Sequence, residues 1–163
     1  MAIRSATTPL EIRRATAQDA VAICAVVRDS IAMLCAADHG NDPALLEPWL
    51  SNKTPDNVVG WIANPDNAVF VAVDAGAVVA AACVTRSGDI LLNYVSPAAR
   101  FRGASKALMQ ALEDWARLQG NVQCTLDSTT TAHDFYRALG YVANGEPCSK
   151  FFGIGCYPMV KSL

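Results

Sequence analysis

Residues 90–108 read ILLNYVSPAARFRGASKAL, an apolar strand pattern that ends before a proline and leads through a basic turn into a helix. From Ala104 to Trp115 the apolar residues recur at three- and four-residue steps, a spacing typical of a helix with one buried face. Gly120 favours the end of this helix, and residues 122–126 form a second apolar strand pattern. A strand, a helix and a strand in this order predict a crossover between two parallel strands.

The remaining segments predict one mixed α/β domain around this crossover. Residues 68–73, 77–85 and 90–95 are rich in valine and isoleucine and are joined by short Gly-containing turns, so they predict an antiparallel meander. An N-cap residue precedes a proline at Asp42-Pro43 and at Thr54-Pro55, which predicts the start of two short helices. The other predicted elements are an edge-type strand at residues 10–14, a long helix over 18–37, short helices over 43–51 and 55–62, a helix opened by a capping box of Thr131 and Asp134 and ended by Gly140, and a last strand at 157–161.

Composition predicts a globular protein with a complete core. The chain has 163 residues, of which 52% are hydrophobic and 17% charged, enough for one domain without disulfides or a structural metal. We therefore expect a single domain over residues 1–163, with residues 1–9 as a flexible tail. A net charge of −2 argues against nucleic acid as a partner. No stretch reaches the roughly 18 apolar residues of a membrane span and no signal-peptide pattern is present, so we expect a cytoplasmic protein without a membrane partner.

The six cysteines give no pattern of a metal site or a disulfide framework. They are scattered, mostly in apolar segments, and they form neither a Cys-x-x-Cys pair nor a cluster with histidines. We therefore expect reduced, buried thiols of a cytosolic protein and no bound metal. The residues are Cys24, Cys35, Cys83, Cys124, Cys148 and Cys156.

The turn before the helix carries three positive charges, at Arg100, Arg102 and Lys106, and no acidic residue occurs between Asp89 and Glu113. The free N–H groups of a helix N-terminus and the positive end of the helix dipole suit a phosphate group. A glycine just before the helix lets the backbone approach such a group closely. These features indicate an anionic ligand, although the charges alone fit a solvated basic turn equally well.

The same stretch resembles the acyl-CoA-binding motif of the GNAT superfamily of N-acyltransferases. That motif runs V-x-P-x-x-R-x-x-G-x-G/A after a strand, and Val95, Pro97, Arg100 and Gly103 match it, while Ser105 replaces the usual glycine or alanine. The resemblance implies that amides at the start of the helix hold the pyrophosphate of CoA and that the end of the strand pairs with the pantetheine arm. The residues implied to bind the cofactor are Tyr94, Val95, Arg100, Arg102, Gly103, Ala104, Ser105 and Lys106.

A second motif lies about thirty residues further on. Residues 131–141 read TAHDFYRALGY and resemble the A-x-x-F-Y-x-x-x-G-Y/F signature of the same family. The resemblance implies that Tyr136 returns a proton to the departing CoA thiolate, a nearly balanced transfer because ordinary pKa values are about 10 for tyrosine and about 8.5 for a thiol. A tyrosine that only packs in the core is the alternative. Thr129 stands where the family often has asparagine and is a further candidate contact to the cofactor.

The group that takes the proton from the attacking amine is left open by the sequence. Several family members use a carboxylate at the start of the strand before the CoA turn, so the resemblance makes Asp89 a candidate base, with a turn aspartate as the alternative. The first helical region forms one wall of the acceptor site in the family. By that resemblance Asp38, His39 and Trp49 are candidate contacts to the acceptor, with a surface histidine and a packed tryptophan as the alternatives.

The two motifs together imply a GNAT-like fold over residues 10–163, with a mixed, mostly antiparallel central sheet and helices on both faces. The implied activity is transfer of an acetyl group from acetyl-CoA, as co-substrate, to a primary amine of a small molecule or peptide by direct attack. An acyl-enzyme on Cys83 or Cys124 is disfavoured because neither has a histidine nearby in sequence. A non-catalytic acyl-CoA sensor or interaction module is the alternative function. Strand edges near the C-terminus leave both a monomer and a homodimer open.

Overall fold

The computed structural model describes residues 8–150 and 153–163, so most of the tail expected at residues 1–9 lies outside the described residues. The strands are β1 (Glu11–Arg14), β2 (Asn67–Asp74), β3 (Ala77–Thr85), β4 (Asp89–Val95), β5 (Gln123–Ser128), β6 (Val142–Ala143), β7 (Cys148–Lys150) and β8 (Ile154–Ser162). Their order in the sheet is β1-β2-β3-β4-β5-β8-β6, and β7 pairs with β8 beside it. Neighbouring strands are antiparallel except β4 and β5, which are parallel. The mixed, mostly antiparallel sheet expected from the sequence is confirmed.

The helices are α1 (Ala20–Leu34), α2 (Ala36–His39), α3 (Pro43–Ser51), α4 (Pro55–Ala63), α5 (Ala104–Leu118) and α6 (His133–Ala138). The two helix starts predicted at prolines are confirmed, because α3 and α4 begin there. The long helix predicted over 18–37 is divided instead. It is preceded by a 3-10 turn at Ala17–Asp19, and the non-helical backbone of Cys35 separates α1 from α2. In the part of the chain that the structure describes, no helix is long and apolar enough to cross a membrane.

The capping box predicted at Thr131 is wrong. The hydroxyl of Thr131 donates to Asp38 Oδ2 at 2.5 Å, so a partner far away in the sequence replaces the local cap. The helix α6 follows Ala132, whose N–H donates to the Thr129 hydroxyl at 3.2 Å. The strands β6 and β7 were not predicted, because segments of two or three residues carry no readable periodicity.

Both faces of the sheet are covered by helices and bury a hydrophobic core. Along β2, Ala68 and Ala72 pack in the core beneath α5, whereas Val69 and Val71 pack on the opposite face with residues of α1 and α4. The neighbouring strand β3 alternates in the same way, which explains why both strands are almost continuously apolar. The helices expected on both faces are confirmed.

The expectation that all six cysteines are reduced is wrong for one pair. Cys148 and Cys156 form a disulfide between β7 and β8. The two residues lie directly opposite each other in the antiparallel register, with a Cα–Cα distance of 5.1 Å that suits a disulfide. The other four cysteines are free and buried, as expected.

The sheet opens between β4 and β5. These strands pair only through Asp89 with Thr125 and Ile90 with Leu126, while β4 continues along β3 and β5 continues along β8. A bulge in β4 lies at the same point, because the register against β3 skips Leu91. Bulges bend a strand and increase its twist, which here turns β4 away from β5. The backbone of β4 beyond Ile90 therefore faces an opening rather than a neighbouring strand.

A substitution at Gly88, in the turn before β4, tests how tightly this end of the sheet is packed. Its φ is +88°, and a Cβ there would lie 2.7 Å from the backbone oxygen of Gln123. We expect Gly88→Ala to lower the free energy of unfolding by about 3 kcal/mol, through left-handed strain and a steric clash together. The control is Gly76→Ala, which has a φ of +83° but open space around it and should cost only about 1 kcal/mol. Denaturant titration measures both, and equal losses would contradict the packing argument.

Candidate active site

Two cavities meet where β4 and β5 separate. The first has a volume of about 600 Å³ and lies between β4, the turn before α5, the end of β5 and α6. The second has a volume of about 310 Å³ and lies between β4, the end of β5, the segment joining α3 to α4, and the β7–β8 hairpin. Residues that line both cavities mark the junction between them. They are Leu91, Leu92, Tyr94, Asp127 and Thr129.

The N-terminus of α5 forms one wall of the first cavity. Gly103 is its N-cap residue and has a φ of 81°, a left-handed conformation that favours glycine. The first bond within the helix runs from the N–H of Ala107 to the carbonyl of Gly103 at 3.0 Å. The N–H groups of residues 103–106 therefore have no acceptor inside the helix. Since these residues line the cavity, the wall can bind an anionic group.

The two arginines of the turn have different surroundings. Arg100 lines the first cavity, and its guanidinium lies 4.6 Å from the centre of the exposed Phe101 ring. Arg102 forms an ion pair with Asp74, at the end of β2, and its side chain does not line this cavity. The structure therefore brings Arg100 and Lys106 to the cavity, whereas the guanidinium of Arg102 is turned towards the β2–β3 hairpin.

Tyr136 of α6 lines the first cavity as a buried residue. Burial raises the pKa of its hydroxyl to about 12, so the group keeps its proton at neutral pH. The neighbouring Asn93 side chain works against this shift in pKa, as expected when its amide N–H is directed at the phenol oxygen. Asn93 Oδ1 is buried and has no partner among the described residues, so it does not accept the Tyr136 proton. The proton of Tyr136 is left for a group in the cavity.

Sequence reasoning missed Asn93, which lies in the first cavity between two motif segments. It pairs with Ala82 and therefore lies on the face of the sheet that carries α5. The signal that could have found it is a single amide inside the apolar run ILLNYV. Its face could not be read from alternation alone, because the bulge at Leu91 changes the alternation along β4.

The side of the junction away from α5 is aromatic. Trp49 lines the second cavity together with Tyr94. His39 is buried with its ring 6.2 Å from that of Trp49, but it lines neither cavity. Its Nε2 lies 2.9 Å from the carbonyl oxygen of Ile31, and its Nδ1 accepts from the N–H of Asn41 at 3.0 Å. His39 thus packs beside Trp49 and does not line the cleft.

Two predicted acidic residues lie outside both cavities. Asp38 accepts hydrogen bonds from the N–H groups of Thr130 and Thr131 and from the Thr131 hydroxyl, so it holds the loop before α6. Asp89 accepts from the hydroxyls of Thr125 at 2.5 Å and Ser87 at 2.8 Å, and these bonds lower the pKa of its carboxyl. Four residues of strand place Asp89 about 13 Å from Asn93. The structure does not bring Asp38 or Asp89 to the candidate site.

The remaining predicted residues lie around the junction. Tyr94, Val95 and Thr129 line the first cavity together with Tyr136 and the start of α5.

Burial raises the pKa of the Cys83 thiol to about 12 and that of the Cys124 thiol to about 11, so neither is a ready nucleophile. Within residues 8–150 and 153–163, no group of three or more His, Cys, Asp or Glu side chains is arranged to hold a metal ion.

Comparisons with known proteins agree with this arrangement. The family model of the acetyltransferase (GNAT) domain matches residues 36–163. A GCN5-related N-acetyltransferase from Rhodopseudomonas palustris superposes with a TM-score of 0.85 at 24% identity, covering 98% of this chain and 99% of that one. PaiA N-acetyltransferase from Thermoplasma acidophilum, in complex with coenzyme A, superposes with a TM-score of 0.82 at 17% identity, covering 96% of this chain and 100% of that one.

A third similar structure is a GCN5-related N-acetyltransferase from Kribbella flavida, with a TM-score of 0.72, 25% identity and coverage of 94% of this chain and 98% of that one. A search of curated proteins gave no match. The family model covers well over half of the chain, and it includes both sequence motifs and the opened strands. The chain belongs to the GNAT acetyltransferase family.

Proposed function

We propose that the protein is an N-acetyltransferase that moves an acetyl group from acetyl-CoA to a primary amine of a small molecule or peptide. The observation that carries the proposal is a shared cavity. The N–H groups that begin α5 and the protonated Tyr136 line the same space, at the point where β4 leaves β5. The coenzyme A complex of the PaiA relative supports the choice of donor. The proposed site of action is the cytoplasm.

The donor would be held mainly by backbone groups. The free amides of residues 103–106, with Arg100 and Lys106 beside them, suit the charge of a pyrophosphate. The backbone of Tyr94 and Val95 lies on the part of β4 that has no pairing with β5. It can therefore hydrogen-bond the amide groups of a pantetheine arm as a neighbouring strand would.

In the proposed reaction the amine nitrogen attacks the thioester carbonyl carbon, a C–N bond forms and the C–S bond breaks. The leaving thiolate takes the proton of Tyr136, and Asn93 steadies the resulting phenolate through its amide N–H. The amine must also lose a proton. Asp127 lines both cavities and is the proposed acceptor of that proton, whereas Asp89 could accept it only through a chain of water molecules. The main contribution of the site is to position the two substrates.

Binding of the donor can be tested at Ser105, which lies in the first turn of α5 and lines the first cavity. We expect wild type to bind acetyl-CoA in calorimetry, and Ser105→Asp to weaken binding about 10-fold or more by charge repulsion with the phosphates. A carboxylate in the first turn favours the helix, so thermal stability should not fall. Ser162→Asp is the matched control on the exposed end of β8. Absence of acetyl-CoA binding by wild type would refute the proposed donor.

Tyr136→Phe tests the proton donor. We expect acetyl-CoA binding to be retained and turnover to fall about 100-fold, the scale of a lost general acid. Because burial raises the pKa of Tyr136 to about 12, wild-type turnover should show no decline from its deprotonation up to about pH 10. A fully active Tyr136→Phe enzyme would remove the residue from the mechanism. Binding without turnover of any amine in a broad panel would favour the acyl-CoA sensor instead.

The support that Asn93 gives to Tyr136 can be isolated in a double-mutant cycle. We expect Asn93→Leu, which keeps the size but loses the N–H donor, to lower turnover about 10-fold in wild type. The same change should have little effect in the Tyr136→Phe background, because the hydroxyl on which it acts is gone. Asn144→Leu provides the same chemical change at an exposed position. An equal loss in both backgrounds would show that Asn93 acts through packing and not through Tyr136.

A further inference from the structure

The second cavity is lined by residue types that the transfer reaction alone does not require. It begins at the junction and continues towards Trp49, Trp61 and Ile154, which give it apolar and aromatic walls. Its volume of about 310 Å³ is at the lower end of the range for small-molecule sites. These dimensions favour a small acceptor with an apolar body over an extended protein segment.

Lys53 is the cationic side chain in the lining of this cavity, and its backbone is fixed. Its carbonyl oxygen accepts hydrogen bonds from the Arg28 guanidinium at 3.0 Å and from the Cys24 thiol at 3.2 Å, both on α1. The Lys53 ammonium donates to Asn52 Oδ1 at 2.6 Å, which is a neutral partner. Across residues 8–150 and 153–163, no carboxylate forms an ion pair with Lys53.

An ammonium group that is partly withdrawn from water is stabilised by a nearby negative charge. Burial already lowers the pKa of Lys53, which is the expected response of a cation that has lost hydration without gaining a carboxylate. A ligand with an anionic group would supply that missing partner and a charge-assisted hydrogen bond. The positive charge of Lys53 therefore favours a ligand that brings a negative group to this part of the cavity.

The position of Lys53 relative to the junction defines the shape of this ligand. Lys53 lines only the second cavity, whereas Asp127 lines both. An amine that reaches the junction would have a carboxylate beside it, and the opposite end of the same molecule would lie near the ammonium. The two charged side chains thus match an acceptor with charges of opposite sign at its two ends.

We propose that the acceptor is a small amine with an apolar body and a carboxylate at the end opposite the amine, whose carboxylate is bound by Lys53 while its amine lies at the junction. The proposal rests on the proposed transfer reaction and adds to it the class of acceptor. It excludes polyamines and neutral alkylamines as the preferred substrates.

The test compares amines that differ only in charge at the far end. The probes are 4-(aminomethyl)benzoate and 4-(aminomethyl)benzamide, each with acetyl-CoA as donor. We expect wild type to prefer the carboxylate over the amide by about 10- to 100-fold in kcat/KM, the scale of a hydrogen bond to a charged group. Lys53→Met should abolish this preference, while Lys53→Arg should keep most of it. Arg117→Met, which removes an exposed positive charge of α5 outside both cavities, should keep the full preference.

Two outcomes would overturn the proposal: a carboxylate preference that survives in Lys53→Met, or the absence of a carboxylate preference in wild type. If no amine is acetylated although acetyl-CoA binds, calorimetry of the same probes with the CoA complex applies the same criteria to affinity. Failure of the donor itself is recognised separately, because wild type would then not bind acetyl-CoA at all.

Discussion

The short ladder between β4 and β5 is the constraint on which the site depends. Two residue pairs, Asp89 with Thr125 and Ile90 with Leu126, join the strands, and beyond them each strand is held only by its other neighbour. Both strands therefore stay fixed while the space between them stays open. The opening exposes one edge of β4 and lies between the start of α5 and Tyr136. The gap therefore leaves the backbone N–H and C=O groups along this edge of β4 without partners in β5.

A buried polar network fixes the elements around this gap. Glu113 of α5 is 3% exposed and accepts from Lys161 of β8 at 3.0 and 3.1 Å and from the Tyr141 hydroxyl at 3.0 Å. The Tyr141 ring in turn lies 5.8 Å from that of Tyr136. Because a buried carboxylate is costly unless it is paired, these partners restrict how α5 can sit on the sheet. The network therefore helps to keep the N-terminus of α5 and the Tyr136 hydroxyl in one arrangement.

The sequence predicted the parts of this protein that are set by local patterns. Helix α5, the meander and the helix starts at Pro43 and Pro55 follow from periodicity and caps, which act over a few residues. The failures involve partners that no local sequence pattern records. The Thr131 hydroxyl bonds to Asp38, and the Cys148–Cys156 bond requires a hairpin whose first strand has only three residues. The candidate site was predicted through its motifs, whereas the face of Asn93 depends on a bulge that no motif records.

The Cys148–Cys156 disulfide makes the second cavity sensitive to the redox conditions around the protein. Ile154, Gly155 and Cys156 contribute to the wall of that cavity, so a covalent bond closes the hairpin that forms this wall. In the chain-entropy description, a bond that closes a loop of this size stabilises the folded state by about 2.5 kcal/mol. Thiol–disulfide exchange with a glutathione pool removes that contribution when the pool is sufficiently reducing. The rigidity of the proposed acceptor wall is therefore linked to the redox potential of the compartment in which the protein works.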